Sequence, residues 1–168
     1  FLHVFLTGLA RLSHHRPELN RFISGRRTYE HRDISFAFTV KKAYTDEADE
    51  VQARITFTGG ETVDEVRVKV DAALERARNH TRNESDVLVS RLVRLPGPLL
   101  AAVARTAWAL DSVNRLPRVL QDAIPTYASA YLVNLGSLHA EAPFHHLYRR
   151  GTAGVFVSVG TIRPEPVV

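Results

Sequence analysis

The segment Ile34-Ser35-Phe36-Ala37-Phe38-Thr39-Val40, followed by Val51-Gln52-Ala53-Arg54-Ile55-Thr56-Phe57, decides the class of this fold. In each, apolar side chains (Ile34, Phe36, Phe38, Val40; Val51, Ala53, Ile55, Phe57) alternate with small or polar ones. A period of two places alternate residues on opposite faces of a strand, so each segment reads as a strand with one buried face. The acidic Thr45–Glu50 stretch between them reads as a hairpin-type connection. Gly59-Gly60 closes the second strand, and Thr62 stands three residues before Glu65, the spacing of a capping box. Val63, Val66, Val70, Leu74 and Ala77 follow at helical spacing, which predicts a helix over 62–79. Upstream, Leu2, Phe5, Leu6, Leu9 and Leu12 predict an amphipathic helix over 2–16. Pro17 ends it, because the residue before a proline is pushed out of the helical region. Arg21 to Arg32 reads as a basic loop.

Downstream, the pattern from Ser85 to Leu120 is helical, broken by Pro96-Gly97-Pro98 and by Pro117. It predicts one short helix and a longer one carrying Leu99, Val103, Ala107 and Leu110. Tyr127–Asn134 and Val155–Ile162 read as two further strands, and Pro164 and Pro166 keep the tail out of an interior strand. The order helix, strand, strand, helix, helices, strand, strand predicts an α/β (α+β sandwich) domain, a mixed β-sheet covered by helices. A single domain over 1–168 is expected, with a helical variation at about 85–120.

Composition narrows the classes. In 168 residues, 45% hydrophobic and 24% charged content are enough for a packed core and argue against disorder. The absence of cysteine excludes disulfides, zinc thiolate sites and a thiol nucleophile. The net charge of +4 comes from basic residues spread along the chain, with Lys41, Lys42 and Lys69 the only lysines, and no nucleic-acid motif accompanies it. The apolar stretch Pro98–Leu110 is interrupted by Arg105 and is well short of the roughly 20 residues of a membrane span. Phe1–Leu12 lacks the flanks of a signal peptide. A cytoplasmic protein with no nucleic-acid and no membrane partner is expected. The start at Phe1 and the lack of methionine point to a piece of a longer product.

Pro17-Glu18-Leu19-Asn20 at the end of the first helix, a strand beginning Asp33-Ile34-Ser35, the turn Asn134-Leu135-Gly136 and the strand Val155–Gly160 together resemble the 2-oxo acid dehydrogenase acyltransferase catalytic domain. Chloramphenicol acetyltransferase shares that fold. The resemblance runs over most of the chain outside roughly Ser85–Leu120. It implies acyl transfer between a coenzyme A thioester, the co-substrate, and a thiol or alcohol acceptor, without a metal. It also implies a homotrimer with its active site between subunits. In such enzymes a histidine of an HxxxDG motif is the general base, and a hydroxyl or amide donor stabilises the oxyanion. That motif follows the strand corresponding to Val155–Ile162, so the base is expected beyond Val168 and the domain is expected to be C-terminally incomplete. Two further departures stand out: Val133 occupies a position that is often serine, and no lipoyl-type domain, subunit-binding domain or Pro/Ala-rich linker is present.

Several residues are candidates for the site. His145-His146-Leu147-Tyr148-Arg149-Arg150-Gly151 superficially matches HHxxxDG, with Arg150 in the place of aspartate. A guanidinium there reverses a full charge beside the imidazole and removes its orienting acceptor. The pair therefore reads better as a loop packing near a subunit boundary than as a base. Metal binding is a further alternative, disfavoured because adjacent histidines point apart on most backbones. Arg26 and Arg27, with Arg21 and Arg32, suit coenzyme A phosphates, or else form ion pairs with Glu30 and Asp33. Asn134 is a candidate polar contact, although asparagine is as natural in a turn. Ser137 is the nearest hydroxyl, or a cap. Trp108 and its neighbouring leucines read as core or subunit contact. The competing function is a catalytically inactive relative acting as a structural or interaction module, which Val133 favours.

Overall fold

The computed structural model describes residues 1–41, 50–79, 90, 92–136 and 140–164. Helix α1 (Leu2–His15) leads through a 3-10 turn (Pro17–Asn20) into two four-residue strands, β1 (Arg21–Ser24) and β2 (Arg27–Glu30). Strands β3 (Ile34–Lys41) and β4 (Glu50–Phe57) follow, then α2 (Val63–Asn79), α3 (Gly97–Ser112), α4 (Arg118–Ala123), β5 (Ala130–Asn134) and β6 (Val155–Val159). Among the described residues, β1 and β2 pair with each other, and the main sheet has the order β4-β3-β5-β6. Its β3–β4 pair is antiparallel, whereas β3–β5 and β5–β6 are parallel. The expected mixed sheet is present. The Thr45–Glu50 connection and the short helix before Pro96 fall mostly outside the described residues.

One face of the sheet carries the main core. Phe36, Phe38, Ile55, Phe57 and Leu132 meet Leu6 and Ala10 of α1 and Val66, Val70, Ala73 and Ala77 of α2. Alternation in β4 places Ala53, Ile55 and Phe57 inward and leaves Gln52 and Thr56 exposed. Helix α2 begins with the capping box: the Thr62 amide donates to Glu65 Oε2 at 2.8 Å, and the Glu65 amide donates to Thr62 Oγ1 at 3.3 Å. In α1 the buried line runs through Leu6, Ala10 and Ser13, while Leu12 is exposed. Six residues past Leu6, Leu12 is turned by about 240° from the core.

Four expectations are corrected. The basic loop is a hairpin: Arg21 pairs with Glu30, Phe22 with Tyr29 and Ser24 with Arg27. Gly25 (φ 55°) and Arg26 (φ 65°) both lie in the left-handed region, the conformation of the tight turns that match strand twist. Strand β3 is buried on both faces, because Ser35 and Ala37 are buried along with Ile34, Phe36 and Phe38. Ala37, Ala128 and Tyr131 form a second cluster there with Phe156. Strands β5 and β6 are shorter than Tyr127–Asn134 and Val155–Ile162. The Tyr127 amide turns back to Ile124 O and the Thr161 amide leaves the ladder for Ala140 O. Finally, no residue of α3 is buried, so its apolar residues are not core; Trp108 is 51% exposed, with the Arg150 guanidinium 4.2 Å from its ring centre.

Candidate functional site

Parallel strands with open ends create two places for a ligand, one at each end of β3, β5 and β6. In open sheets the carboxyl ends are the usual place. There, Asn134 ends β5 opposite Val159, the Leu135 amide donates to Val159 O at 2.8 Å, and the Ala140 amide donates to Leu135 O at 3.2 Å. Thr161 returns both its amide and its hydroxyl to Ala140 O, each at 3.1 Å. The chain crosses itself so closely here that a Cβ on Gly136 would lie 2.6 Å from Gly160 O, and one on Gly160 2.5 Å from Ala142 N. Only glycine fits such an approach. Asn134 is exposed at this end. A cavity of ≈ 500 Å³ lies beside it along Gly160–Arg163 and Glu141, with Arg163 ion-paired to Glu141. Ser137 lies outside the described residues.

His145 lies against the second face of the sheet, with His146 stacked on it. His145 stacks on Phe156 with ring centres 4.2 Å apart and contacts Tyr148, which in turn meets Tyr131 edge-on at 5.1 Å. The two imidazoles do not point apart: they stack at 5.1 Å with 6° between planes. Both residues are exposed, and no group of three His, Asp or Glu that could hold a metal ion occurs among the described residues. Beneath them the buried Tyr131 hydroxyl and Thr39 Oγ1 are 2.7 Å apart. Arg26 and Arg27 are exposed at the hairpin turn, and Glu30 pairs with Arg21 at 3.2 Å. The histidines and the hairpin arginines are thus each brought together as pairs, on separate elements from Asn134.

The amino ends of the same strands hold a larger polar cleft of ≈ 570 Å³, lined by Arg32, named above as a candidate for coenzyme A phosphates, and by residues that sequence reading did not single out, among them His31, Arg54, Arg118 and Thr152. Arg54 is its fixed centre, donating to Tyr127 O at 3.0 Å and to Asp122 Oδ1 at 2.7 Å. His31 Nε2 lies 3.2 Å from Thr152 O. A carbonyl can only accept, so this nitrogen carries the proton. Burial lowers the His31 pKa most; the Thr152 carbonyl opposes this and the Arg54 charge adds to it. Burial raises the Tyr127 pKa, as do its hydrogen bond to the Asp111 carboxylate and that group's charge. A second lobe of ≈ 370 Å³ reaches Trp108 and shares Phe22, Asn114 and Thr152 with the first. A dipeptide His31-Arg32 ahead of a strand gives no signal of this cleft, which is assembled from segments about a hundred residues apart.

No protein-family model and no curated protein matches this chain in sequence. Its fold nevertheless matches part of that of solved acetyltransferases. A probable dihydrolipoamide acetyltransferase from Listeria monocytogenes superposes with a TM-score of 0.61 at 12% identity, over 99% of this chain and 53% of that one. The cubic core of the pyruvate dehydrogenase multienzyme complex gives 0.59 at 15% identity, over 99% and 51%. The dihydrolipoamide acetyltransferase of Azotobacter vinelandii, studied for a serine, a histidine and an asparagine in its catalytic mechanism, gives 0.57 at 15% identity, again over 99% and 51%. The chain therefore spans about half the length of the solved structures it matches.

Proposed function

We propose that this chain is part of an acyltransferase that moves an acyl group between a coenzyme A thioester and a thiol or alcohol acceptor, working in the cytoplasm as a single domain of this fold. The observation that carries the reading is the superposition of 99% of the chain on dihydrolipoamide acetyltransferases. Fold alone does not fix chemistry, and the carboxyl-end site adds a second support. Asn134 offers an exposed amide donor there, beside two glycines that let backbone approach closely. Such a donor suits the oxyanion of a thioester adduct. Arg26 and Arg27 remain candidates for coenzyme A phosphates, reached from a neighbouring subunit.

A second reading, an inactive relative with a structural role, is favoured by Val133, which puts an apolar side chain beside Asn134. It is favoured also by His145, whose ring is held against Phe156 with Arg149 and Arg150 following in the chain. The test is full-length protein with acetyl-coenzyme A and a dithiol acceptor, wild type against the His145→Gln/His146→Gln variant. Turnover unchanged by the double substitution is expected. Its loss in a folded variant makes the pair the base after all, and no turnover in either protein supports the structural role.

The homotrimer implied by this reading is consistent with the unburied apolar side chains of α3, among them Leu99, Val103 and Trp108. Sedimentation velocity of the full-length protein at micromolar concentration should show a trimer, and a monomer would overturn the assignment.

A further inference from the structure

Helix α3 carries one guanidinium, Arg105, and one carboxylate, Asp111, among mostly apolar side chains, yet none of its residues is buried. A helix apolar on nearly every side is ordinarily covered. Successive residues are turned by about 100°, so its side chains sort into three directions. Leu100, Ala104, Ala107 and Asp111 are half-buried and recur at intervals of four, three and four, which marks the side turned toward the rest of the chain. That side is fixed, because the Asp111 carboxylate accepts from the Tyr127 hydroxyl and Ser24 Oγ donates to Asp111 O at 2.9 Å. Trp108 points elsewhere, and its ring already has the Arg150 guanidinium over it.

The third direction is open to solvent. Leu99, Val103, Thr106 and Leu110 recur at the same intervals of four, three and four, about 100° round the axis from the half-buried side. Leu99 is 49% and Val103 37% exposed, and Thr106 and the bordering Ala102 and Ala109 are exposed as well. The chemistry of this stripe suits burial. Its one polar side chain is that of Thr106, whose hydroxyl donates to Ala102 O at 2.9 Å, so covering the stripe strands no donor. Arg105 lies about 130° from the middle of the stripe and keeps its charge in water when the stripe is covered. Ala102 and Ala109 are small enough to let a second helix axis approach to about 8–10 Å.

Charge selects the occupant. Each copy of the chain carries a formal net charge of +4, so copies repel wherever their basic surfaces meet. The stripe carries no charge of either sign, and two copies can meet on it without that repulsion. A lipid surface instead takes up helices whose polar face is rich in lysine and arginine, and α3 has only Arg105. Resting on the homotrimer reading above, we propose that α3 is a contact between subunits, in which the Leu99-Val103-Thr106-Leu110 stripe of one copy packs against the same stripe of its neighbours around the three-fold axis. Alternating intervals of four and three are those of helices that pack side by side.

Two variants of the full-length protein test this. Leu99→Asp/Val103→Asp puts carboxylates into the contact and should raise the concentration at which the trimer dissociates in sedimentation velocity by at least about tenfold. Its circular dichroism melt reports whether it still folds. Thr106→Cys leaves the stripe nearly unchanged and adds a thiol to a sequence that has no cysteine. It should give disulfide-linked pairs of subunits on mild oxidation, because Thr106 faces its own counterpart across the contact. Ile23→Cys, at a residue 78% exposed on the hairpin, should give none. An unchanged trimer in Leu99→Asp/Val103→Asp, or equal cross-linking of the two cysteine variants, overturns the α3 contact and leaves the homotrimer standing. A wild-type monomer overturns the homotrimer and this contact with it. Capture of wild type, and not of Leu99→Asp/Val103→Asp, by phosphatidylserine–phosphatidylcholine vesicles gives the stripe to a lipid surface and likewise overturns the contact.

Discussion

Replacing Phe36 with alanine is expected to lower stability by about 4 kcal/mol, the scale of a phenylalanine deleted from a packed core. Phe36 is 0% exposed in β3, the strand flanked by β4 and β5, and its ring lies 4.9 Å from that of Phe57. It shares one cluster with Leu6 and Ala10 from α1 and with Val66 from α2, so its removal opens a void where three elements meet. Relaxation cannot close it, because β3 is fixed by ladders on both sides. For a domain of this size the change corresponds to a drop of about 8–16 °C in melting temperature. Ile23→Ala, at a residue 78% exposed on the hairpin, should stay within about 0.5 kcal/mol and serves as the control. Circular dichroism melts of the two variants make the comparison, and a Phe36→Ala protein within about 1.5 kcal/mol of wild type would mean that this core is not the one that holds the sheet.

Glu61→Ala should cost about 3 kcal/mol at neutral pH, by stranding its donors. The Glu61 side chain is 7% exposed and accepts from the Thr58 amide at 2.7 Å, the Gly59 amide at 2.9 Å and Lys69 Nζ at 2.7 Å. It ties the end of β4 to the first turns of α2. Burial alone would raise its pKa, but the Lys69 ammonium and the Thr58 amide outweigh burial and bring it down to about 2 from an ordinary 4.5. A carboxyl depressed in the folded state gives up protons that the unfolded chain would keep. Its contribution is therefore complete above pH 4.5 and is lost as pH falls toward about 2. Melting temperatures of wild type and Glu61→Gln should differ most at neutral pH and converge across that window. A difference independent of pH would show that the contribution of Glu61 does not depend on its charge.

What the sequence carries plainly is whatever is periodic over many residues. The alternation in Ala53–Phe57, the capping-box spacing of Thr62 and Glu65, and the stripe Val66-Val70-Ala77 all reappear at the core. The hairpin was hidden because each of its strands is four residues long, too short to establish a period, and because arginines dominate its composition. Gly25 between Phe22-Ile23 and Tyr29 was the available sign. Burial of Ser35 and Ala37 was hidden for a different reason: small residues read as outward when nothing in the local sequence announces Ser129, which bonds Ser35, or Tyr131 and Phe156, which pack with Ala37. The Arg54 network joins residues far apart in the chain, and a single sequence contains no term linking them. The candidate residues of the carboxyl end were legible through the Asn134-Leu135-Gly136 turn, whereas the amino-end cleft, which has no motif, was not.

The parallel pairing of β3 with β5 also sets a schedule for the ribosome. Phe36 must wait for Ala130, and Ser35 for Ser129, whose amide donates to Ser35 O at 2.8 Å and whose hydroxyl accepts from the Ser35 amide at 3.0 Å. At a synthesis rate of about 5–20 residues per second, this interval lasts on the order of 5–20 s. During it α1, β3, β4 and α2 are already outside and able to assemble through near neighbours, while one edge of β3, with its apolar Phe36-Ala37-Phe38, has no strand beside it. Such an edge pairs readily with another chain. Slower growth temperatures and lower expression levels, which reduce encounters between nascent chains, should raise the soluble yield of this protein more than they raise that of a helical bundle of equal length.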